Sequence, residues 1–554
     1  MNHIRPLTSQ FVSNLKTHRL ETDAKRNLIL SILRSTTTKR EARNYLNKYR
    51  YALEDTSDPH SLRNRDSQSQ LFVNRFLEGA AKPFGTIRSG EYIDDTDQPI
   101  VVEKIPLRIA LFRINYSQVP ESCWKGIGET FRRLQQFGVS PVVVLDFDHL
   151  VREKLFKYNE QYILSQATKL VNRMAELNVN CRWIQCPDDE SMSSLLVPLY
   201  QNAIPIVSPI FYNKSTSQMQ IESCVDVLQS MISLLKPMND LLSIEKLVFL
   251  DPQGGIPSIE RNQTSHVFIN LTQELTEIQS ELYIGHLSPK VRDIHLRNLE
   301  AMNKLLKAAN GDTTGIITTP EVMAVHDDTM NPIVYNVLTD RAVISSSLPP
   351  NSLRTPEIST SILKRGVSVE IWDASVLGRE FTLNELFSKG LVDKQKLVDL
   401  LQDSFGKPLD IDNYFNRIDS SVATLVIVGD YDGLAIITWE TPAQGGKKVA
   451  YLDKFAIAKR NQGLPGLADI IFKIIVQAHP EELLWRSRQN NPVNKWYFER
   501  CCGSVCPDDH WRLFFTGAIF GKKLRKNAAD SIDIGEKVRQ YSGICSAIKP
   551  SFLS

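Results

Sequence analysis

Near residue 375 the order of secondary-structure signals in this chain changes, and no single domain accommodates both orders. Between about 100 and 375, short apolar runs (Ile105–Arg113, Pro141–Asp146, Pro205–Val207, Lys246–Leu250) alternate with segments of helical periodicity (Trp124–Phe137, Arg152–Leu177, Ser223–Leu235). That alternation predicts an α/β domain with an open, mostly parallel sheet between helices. Beyond 375, Thr424–Val428 and Leu434–Thr438 flank the turn Gly429-Asp430-Tyr431-Asp432-Gly433 and read as an antiparallel hairpin. A strand at Lys448–Ala458, a Gly-rich turn, an apolar helix at Gly466–Ala478 and a short strand at Glu482–Arg488 follow, which is an α+β order. The division is expected between Asp373 and Glu380, giving units 100–375 and 376–554. A helical arm and linker over 21–99, helical at 22–55, precede them.

A chain of 554 residues exceeds one hydrophobic core. Its 42% hydrophobic and 23% charged composition excludes collagen-like, disordered and disulfide-scaffold classes. Residues 1–50 hold eleven Lys/Arg against Glu21, Asp23 and Glu41, a charge of +8, so a chain of net +2 has a body of −6. That mildly acidic body argues against nucleic acid as a partner. Before Glu21 there is no acid, and Arg5, Lys16 and Arg19 alternate with Ile4, Leu7, Phe11, Val12 and Leu15. Residues 1–20 therefore suit a mitochondrial transit segment, with a matrix destination; an ordinary solvated tail is the alternative. No apolar run approaches the ~20 residues of a membrane span. Eight dispersed cysteines without a secretory leader imply free thiols in a reducing compartment. Cys501, Cys502, Cys506 and His510 have poor ligand spacing, so no metal is expected. Gly85 to Gly90 has phosphate-loop spacing but no Lys.

Chemistry concentrates between Tyr451 and Phe498. The strand Val449–Ala458 runs into Lys459-Arg460-Asn461-Gln462-Gly463-Leu464-Pro465-Gly466 and then the helix. Glycines that let the backbone approach, beside a helix N-terminus, can hold a pyrophosphate, although any strand-to-helix turn also uses Gly and Pro. On the next strand Arg486 and Arg488 share one face and Trp485 and Ser487 the other. Two guanidinium groups about 6.5–7 Å apart match a substrate with two carboxylates; two solvated arginines on an exposed strand are the alternative.

Strand, basic glycine turn, helix and strand in this order resemble the GNAT family of acyl-CoA N-acetyltransferases. Tyr451-Leu452-Asp453-Lys454-Phe455, together with Leu484-Trp485-Arg486-Ser487-Arg488-Gln489-Asn490-Asn491-Pro492-Val493-Asn494-Lys495-Trp496-Tyr497-Phe498, resemble the N-acetylglutamate synthases of fungal and animal type. Those enzymes join an amino-acid-kinase-like domain to a GNAT domain, so the resemblance covers most of the chain. The length and the segment Lys39-Arg40-Glu41-Ala42-Arg43 are most similar to fungal mitochondrial members.

The resemblance implies acetyl-CoA as co-substrate, held by Phe455, Ala456, Ile457, Arg460, Gln462, Gly463, Leu464 and Gly466. L-Glutamate would be bound by Lys454, Arg486 and Arg488, where a plain surface role for Lys454 stays open. It implies Tyr497 as general acid toward the leaving thiolate and Asn491 as a polar positioning group. Packing of Tyr497 with Trp496 and Phe498, and a turn or helix cap at Asn491 ahead of Pro492, are the structural alternatives. No general base stands out, and water can carry that proton.

The first strand, Leu107–Tyr116, lacks the Lys-x-Gly-Gly that a working amino-acid kinase uses on ATP phosphates. Lys246–Ile256 resembles the family's central strand and turn, and Leu287-Ser288-Pro289-Lys290-Val291 its later Pro-Lys segment. The expectation is an arginine sensor, with L-arginine as inhibitor and Arg341–Gly366 the region of interest, or else a ligand-free scaffold. A homo-oligomer, a tetramer included, and a complex with acetylglutamate kinase are implied by the resemblance. The rival reading is a non-catalytic arginine-sensing subunit of that kinase; an active kinase is disfavoured by the missing motif.

Overall fold

The computed structural model describes residues 106–148, 156–188, 192–213, 217–261, 264–285, 287–309, 311–325, 331–348, 358–443, 445–462, 466–521 and 534–553. The expected transit segment, the arm with its 22–55 helix and the Gly85 to Gly90 loop lie outside these residues.

Among the described residues the first domain carries ten strands: β1 (Leu107–Ile114), β2 (Val139–Leu145), β3 (Cys181–Ile184), β4 (Ile204–Val207), β5 (Ile210–Asn213), β6 (Gln218–Ile221), β7 (Leu242–Leu250), β8 (Phe268–Asn270), β9 (Thr314–Thr318) and β10 (Ser361–Lys364). Eight form a sheet in the order β3-β4-β2-β1-β7-β9-β10-β8, and β5 and β6 pair separately. Neighbours in the sheet are parallel except β9 and β10. Period-two alternation sorts β1 between two cores. Ala110, Phe112 and Ile114 pack with α1 (Trp124–Gln136) and α2 (Phe156–Glu176). Ile109 and Leu111 pack with α3 (Cys224–Leu235), α4 (Leu271–Ile284) and α5 (Pro289–Ala308). Burial on both faces is why these strands read as continuous apolar runs. The Pro-Lys segment opens α5: Ser288 accepts from the Val291 N–H and Pro289 takes the first helical position.

The second sheet contains β11 (Val369–Asp373), β12 (Val422–Val428), β13 (Gly433–Glu440), β14 (Val449–Ile457), β15 (Leu483–Arg488), β16 (Gly503–Val505) and β17 (Trp511–Thr516), in the order β11-β12-β13-β14-β15-β17-β16. It is antiparallel except where β14 meets β15. One face packs on α6 (Leu383–Ser388), α7 (Lys394–Phe405) and α8 (Ile411–Ile418), and the other on α9 (Leu467–Ala478). After β15 come α10 (Asn494–Phe498) and, beyond β17, α11 (Ile534–Ala547), whose Tyr541, Ile544 and Cys545 cover Tyr451, Leu484 and Leu513.

The domains divide earlier than expected. Because β10 belongs to the first sheet and β11 to the second, the crossover lies between Lys364 and Val369, not at residue 375. An edge strand pairs on one side only, and its assignment depends on a partner, β12, far along the chain.

Candidate active site

The parallel pair of the second sheet opens the site. β14 and β15 are in register from Ala450↔Leu483 to Leu452↔Trp485, and there the pairing stops. At that point Ile437 of β13 faces Leu452 and Ile436 faces Lys454, leaving Asp453 as an extra residue in a bulge. A bulge bends its strand, so Lys454–Ile457 stay with β13 while Arg486–Arg488 continue along β17. The wedge between them opens into a cavity of about 2290 Å³ that extends to residues of the first domain.

Asp453 is the hub of the charges below the wedge. Its side chain is 1% exposed; it accepts from Lys454 Nζ at 2.7 Å, from the Tyr414 hydroxyl at 2.9 Å, and from Arg417. Burial alone would raise its carboxyl, but Lys454 and Arg417 overcome it and hold the group at about 2. Burial pulls the Lys454 ammonium below its ordinary range, with Asp453 opposing. Arg417 also pairs with Glu440 at 3.2 Å, so Asp453, Glu440, Lys454 and Arg417 balance in charge, and Lys454 is the cation of the group that faces the cavity. Sequence reasoning assigned Asp453 no role; an acid inside a buried strand was the available signal.

On the other wall, Arg486 and Arg488 lie over the same Trp511 ring, at 4.4 and 5.9 Å from its centroid. Arg486 also donates to the Cys545 carbonyl. Trp485 turns the other way, stacked on Phe514 at 5.6 Å. Asn491 both closes a turn and lines the cavity: its Oδ1 accepts from the Val493 N–H at 3.0 Å while Nδ2 donates to Ser487 at 2.8 Å. Tyr497 packs between Trp485 and Phe514, at 5.6 and 5.4 Å. Burial raises its phenol well above the ordinary value, so it stays protonated. Among the described residues its hydroxyl has no hydrogen-bond partner, and its side chain lines the cavity.

Of the residues expected at the cofactor, Phe455, Ile457, Gln462 and Gly466 line the cavity. Ala456 alternates into the core at 1% exposure, leaving only its backbone toward the wedge. Arg460 is drawn off instead to Asp432 of the β12–β13 turn, at 2.6 Å, because that acid sits beside it and also holds Asn461. Gly463 and Leu464 lie outside the described residues. Gly466 precedes α9 at φ +95°, and among the described residues no side chain caps that helix, so its first N–H groups can face an anion. These features fit a pyrophosphate with a pantetheine arm laid along the free edge of β14. Lys407, which no sequence signal singled out, also lines the cavity and has no ion pair among the described residues. Arg341–Ser346 and Lys364–Gly366, parts of the region expected to hold arginine, form the far wall of the same cavity, while 349–357 lie outside the described residues.

All eight cysteines are free, and among the described residues no group of His, Cys, Asp or Glu is arranged to hold a metal. No helix among them is long and apolar enough to cross a membrane.

A splayed parallel pair, a helix without a side-chain cap among the described residues and a protonated tyrosine in the wedge define an acyl-CoA-dependent N-acetyltransferase domain, here joined to an α/β domain. Residues 381–541 match the family model described as the N-acetyltransferase of N-acetylglutamate synthase. Over its whole length the chain is 52% identical to a mitochondrial amino-acid acetyltransferase of Scheffersomyces stipitis, itself covered completely. A Yarrowia lipolytica protein of that name is 34% identical over 95% of this chain and 93% of its own. A solved N-acetylglutamate synthase from Neisseria gonorrhoeae, complexed with coenzyme A and L-arginine, is similar at TM-score 0.35 and 13% identity, over 74% of this chain and 95% of that one. The chain belongs to the family of mitochondrial amino-acid acetyltransferases.

Proposed function

We propose that the wedge transfers the acetyl group of acetyl-CoA to the α-amine of L-glutamate, in mitochondria, as the first step of arginine biosynthesis. The observation that carries this reading is the convergence of Lys454, Arg486 and Arg488 with Asn491 and Tyr497 on one cavity. Lys454 from one wall and the two arginines from the other supply the charge for two carboxylates. The backbone of Phe455–Ile457 and the start of α9 receive acetyl-CoA. With both bound, the amine nitrogen attacks the thioester carbon, the C–S bond breaks, Tyr497 gives its proton to sulfur, and the surplus amine proton leaves to water. Asn491 orients the reactants through the Ser487 contact.

The kinase-like domain, without a Lys-x-Gly-Gly, serves as a sensor of L-arginine, acting by binding two conformations unequally. The far wall of the cavity around Arg341–Ser346 and Lys364–Gly366 is where such a ligand would communicate with the chemistry. A homo-oligomer and a complex with acetylglutamate kinase follow from family resemblance, and sedimentation and co-purification test them.

The deciding experiment is thiol release from acetyl-CoA with and without glutamate, ATP and arginine. Glutamate-dependent, ATP-independent release is expected. Its absence refutes the reading and favours a non-catalytic subunit; release unaffected by arginine refutes the sensor.

A further inference from the structure

Two of the three cations on which the proposed glutamate site rests, Lys454 and Arg486, are held by one stretch, Cys545–Leu553, which lies wholly beyond the span matched by the family model. Arg486 donates to the carbonyl of Cys545 near the end of α11. Lys454 Nζ donates to Ser551 Oγ at 3.2 Å and sits 5.8 Å from the centre of the Phe552 ring. The stretch is pinned rather than loosely apposed. Asp410 N donates to Ser551 O, and Leu553 N to Pro408 O, each at 3.0 Å, around a Leu409↔Phe552 bridge. Phe552 also packs on Phe405, with ring centres 4.6 Å apart. Ile548, Pro550, Ser551 and Phe552 all line the wedge cavity.

The hydrogen-bond inventory of Ser551 carries the argument. A hydroxyl offers one proton and two lone pairs. Ser551 accepts from Lys454, and among the described residues nothing accepts its own proton. The Lys454 ammonium spends its donors on Asp453 Oδ2 at 2.7 Å, on Ser551, and on the Asp453 carbonyl at 3.4 Å, the weakest of the three. An anion entering beside Lys454 can take that long contact and the idle Ser551 proton together.

We propose that Ser551 is a substrate-binding residue: its hydroxyl accepts from Lys454 and donates to the substrate carboxylate that Lys454 neutralises, with Phe552 closing the end of the pocket. The Cys545 carbonyl fixes Arg486 for the other carboxylate. The segment thereby sets the distance between the two charges and selects a dicarboxylic amino acid of matching length. This inference rests on the glutamate reading of the same site.

The test is steady-state kinetics on the full chain. Ser551→Ala raises the glutamate KM roughly 10–100-fold, the loss expected for a hydrogen bond to a charged group, while the acetyl-CoA KM stays within about twofold. Ser551→Thr, which keeps the hydroxyl, restores most of the affinity. Ser551→Cys, close in volume but a poor partner, repeats the Ala result with the least disturbance of packing. A glutamate KM unchanged in both Ser551→Ala and Ser551→Cys overturns the proposal, and so does a joint rise of both KM values, which marks a merely structural role. If the unaltered protein shows no glutamate-dependent thiol release, it is the glutamate reading itself that has failed.

Discussion

Replacing Asp453 by Asn tests whether the buried charge cluster is what makes the wedge bind anions. Asp453 faces two cations and the Tyr414 hydroxyl. At an effective dielectric of 20, one contact at the Lys454 distance of 2.7 Å is worth about 6 kcal/mol before desolvation. Removing one member of such a buried pair costs about 3–5 kcal/mol, because the partner charge stays buried. Asn keeps an acceptor oxygen, so about 3 kcal/mol is expected, a drop in Tm of roughly 6–12 °C for a domain of this size. The sign with pH follows from the depressed carboxyl: at about 2 against an ordinary 3.8, its stabilisation is complete above the ordinary value and disappears as pH falls toward 2. The stability gap between the two proteins should therefore narrow below about pH 4. Lys454, already lowered by burial, loses the charge that supports it and falls further. Since only the protonated amine holds a carboxylate, the glutamate KM of Asp453→Asn should climb with rising pH across a range where that of the unaltered protein stays flat. Thermal melts from pH 3 to 8 and KM from pH 6 to 9 measure both effects. An unshifted Tm with parallel KM profiles would refute the reasoning.

Tyr497→Phe keeps the packing against Trp485 and Phe514 and removes the proton donor, so kcat should drop roughly 10–10³-fold with little change in acetyl-CoA KM; single-turnover thiol release reads this, and unchanged turnover removes Tyr497 from the mechanism. Arg486→Ala should mainly raise the glutamate KM, and an unaltered KM counts against the dicarboxylate clamp. Gly466→Ala meets no neighbour within 4 Å, yet an L-residue at φ +95° carries strain of order 1–3 kcal/mol. It should weaken acetyl-CoA binding, checked by calorimetry with coenzyme A, and leave the glutamate KM near its original value.

Local pattern made much of this legible and non-local pairing hid the rest. β1, β2, β7, the β12–β13 hairpin and α9 were readable because each is longer than its flanking ambiguity and its apolar period is regular. Arg486 and Arg488 could be placed on one face by alternation alone. β11 and the reversal at β10 could not be assigned, since either segment suits either sheet until its partner is known. The bulge at Asp453 depends on register with β13, and nothing in Leu452-Asp453-Lys454 announces it. Arg460 looked like a phosphate ligand because its nearest acid, Asp432, is distant in sequence. Ser551 gains its place only through the backbone bridge to Leu409.

The two domains meet along α9. Asp469, Lys473 and Gln477 recur every fourth residue, so they share one face of α9. Each touches the first domain: Asp469 accepts from Ser345 at 2.9 Å and Ser347 at 2.6 Å, Lys473 pairs with Glu274, and Gln477 reaches Glu260 at 3.4 Å. Arg500 ties this seam to the chemistry. Its side chain, 2% exposed, donates to Ser345, Ser347 and Asp469, and its guanidinium lies 3.8 Å from the centre of the Trp496 ring, next to Tyr497. Those donors also neutralise Asp469, which would otherwise repel a pyrophosphate at the start of α9. A buried network of this kind resists partial change, since an orphaned member costs its full desolvation. A shift of Ser345–Ser347 of even an ångström therefore has to carry α9 and the Tyr497 helix with it or break the network. That physical linkage couples the position of Ser345–Ser347 in the first domain to the geometry of the wedge.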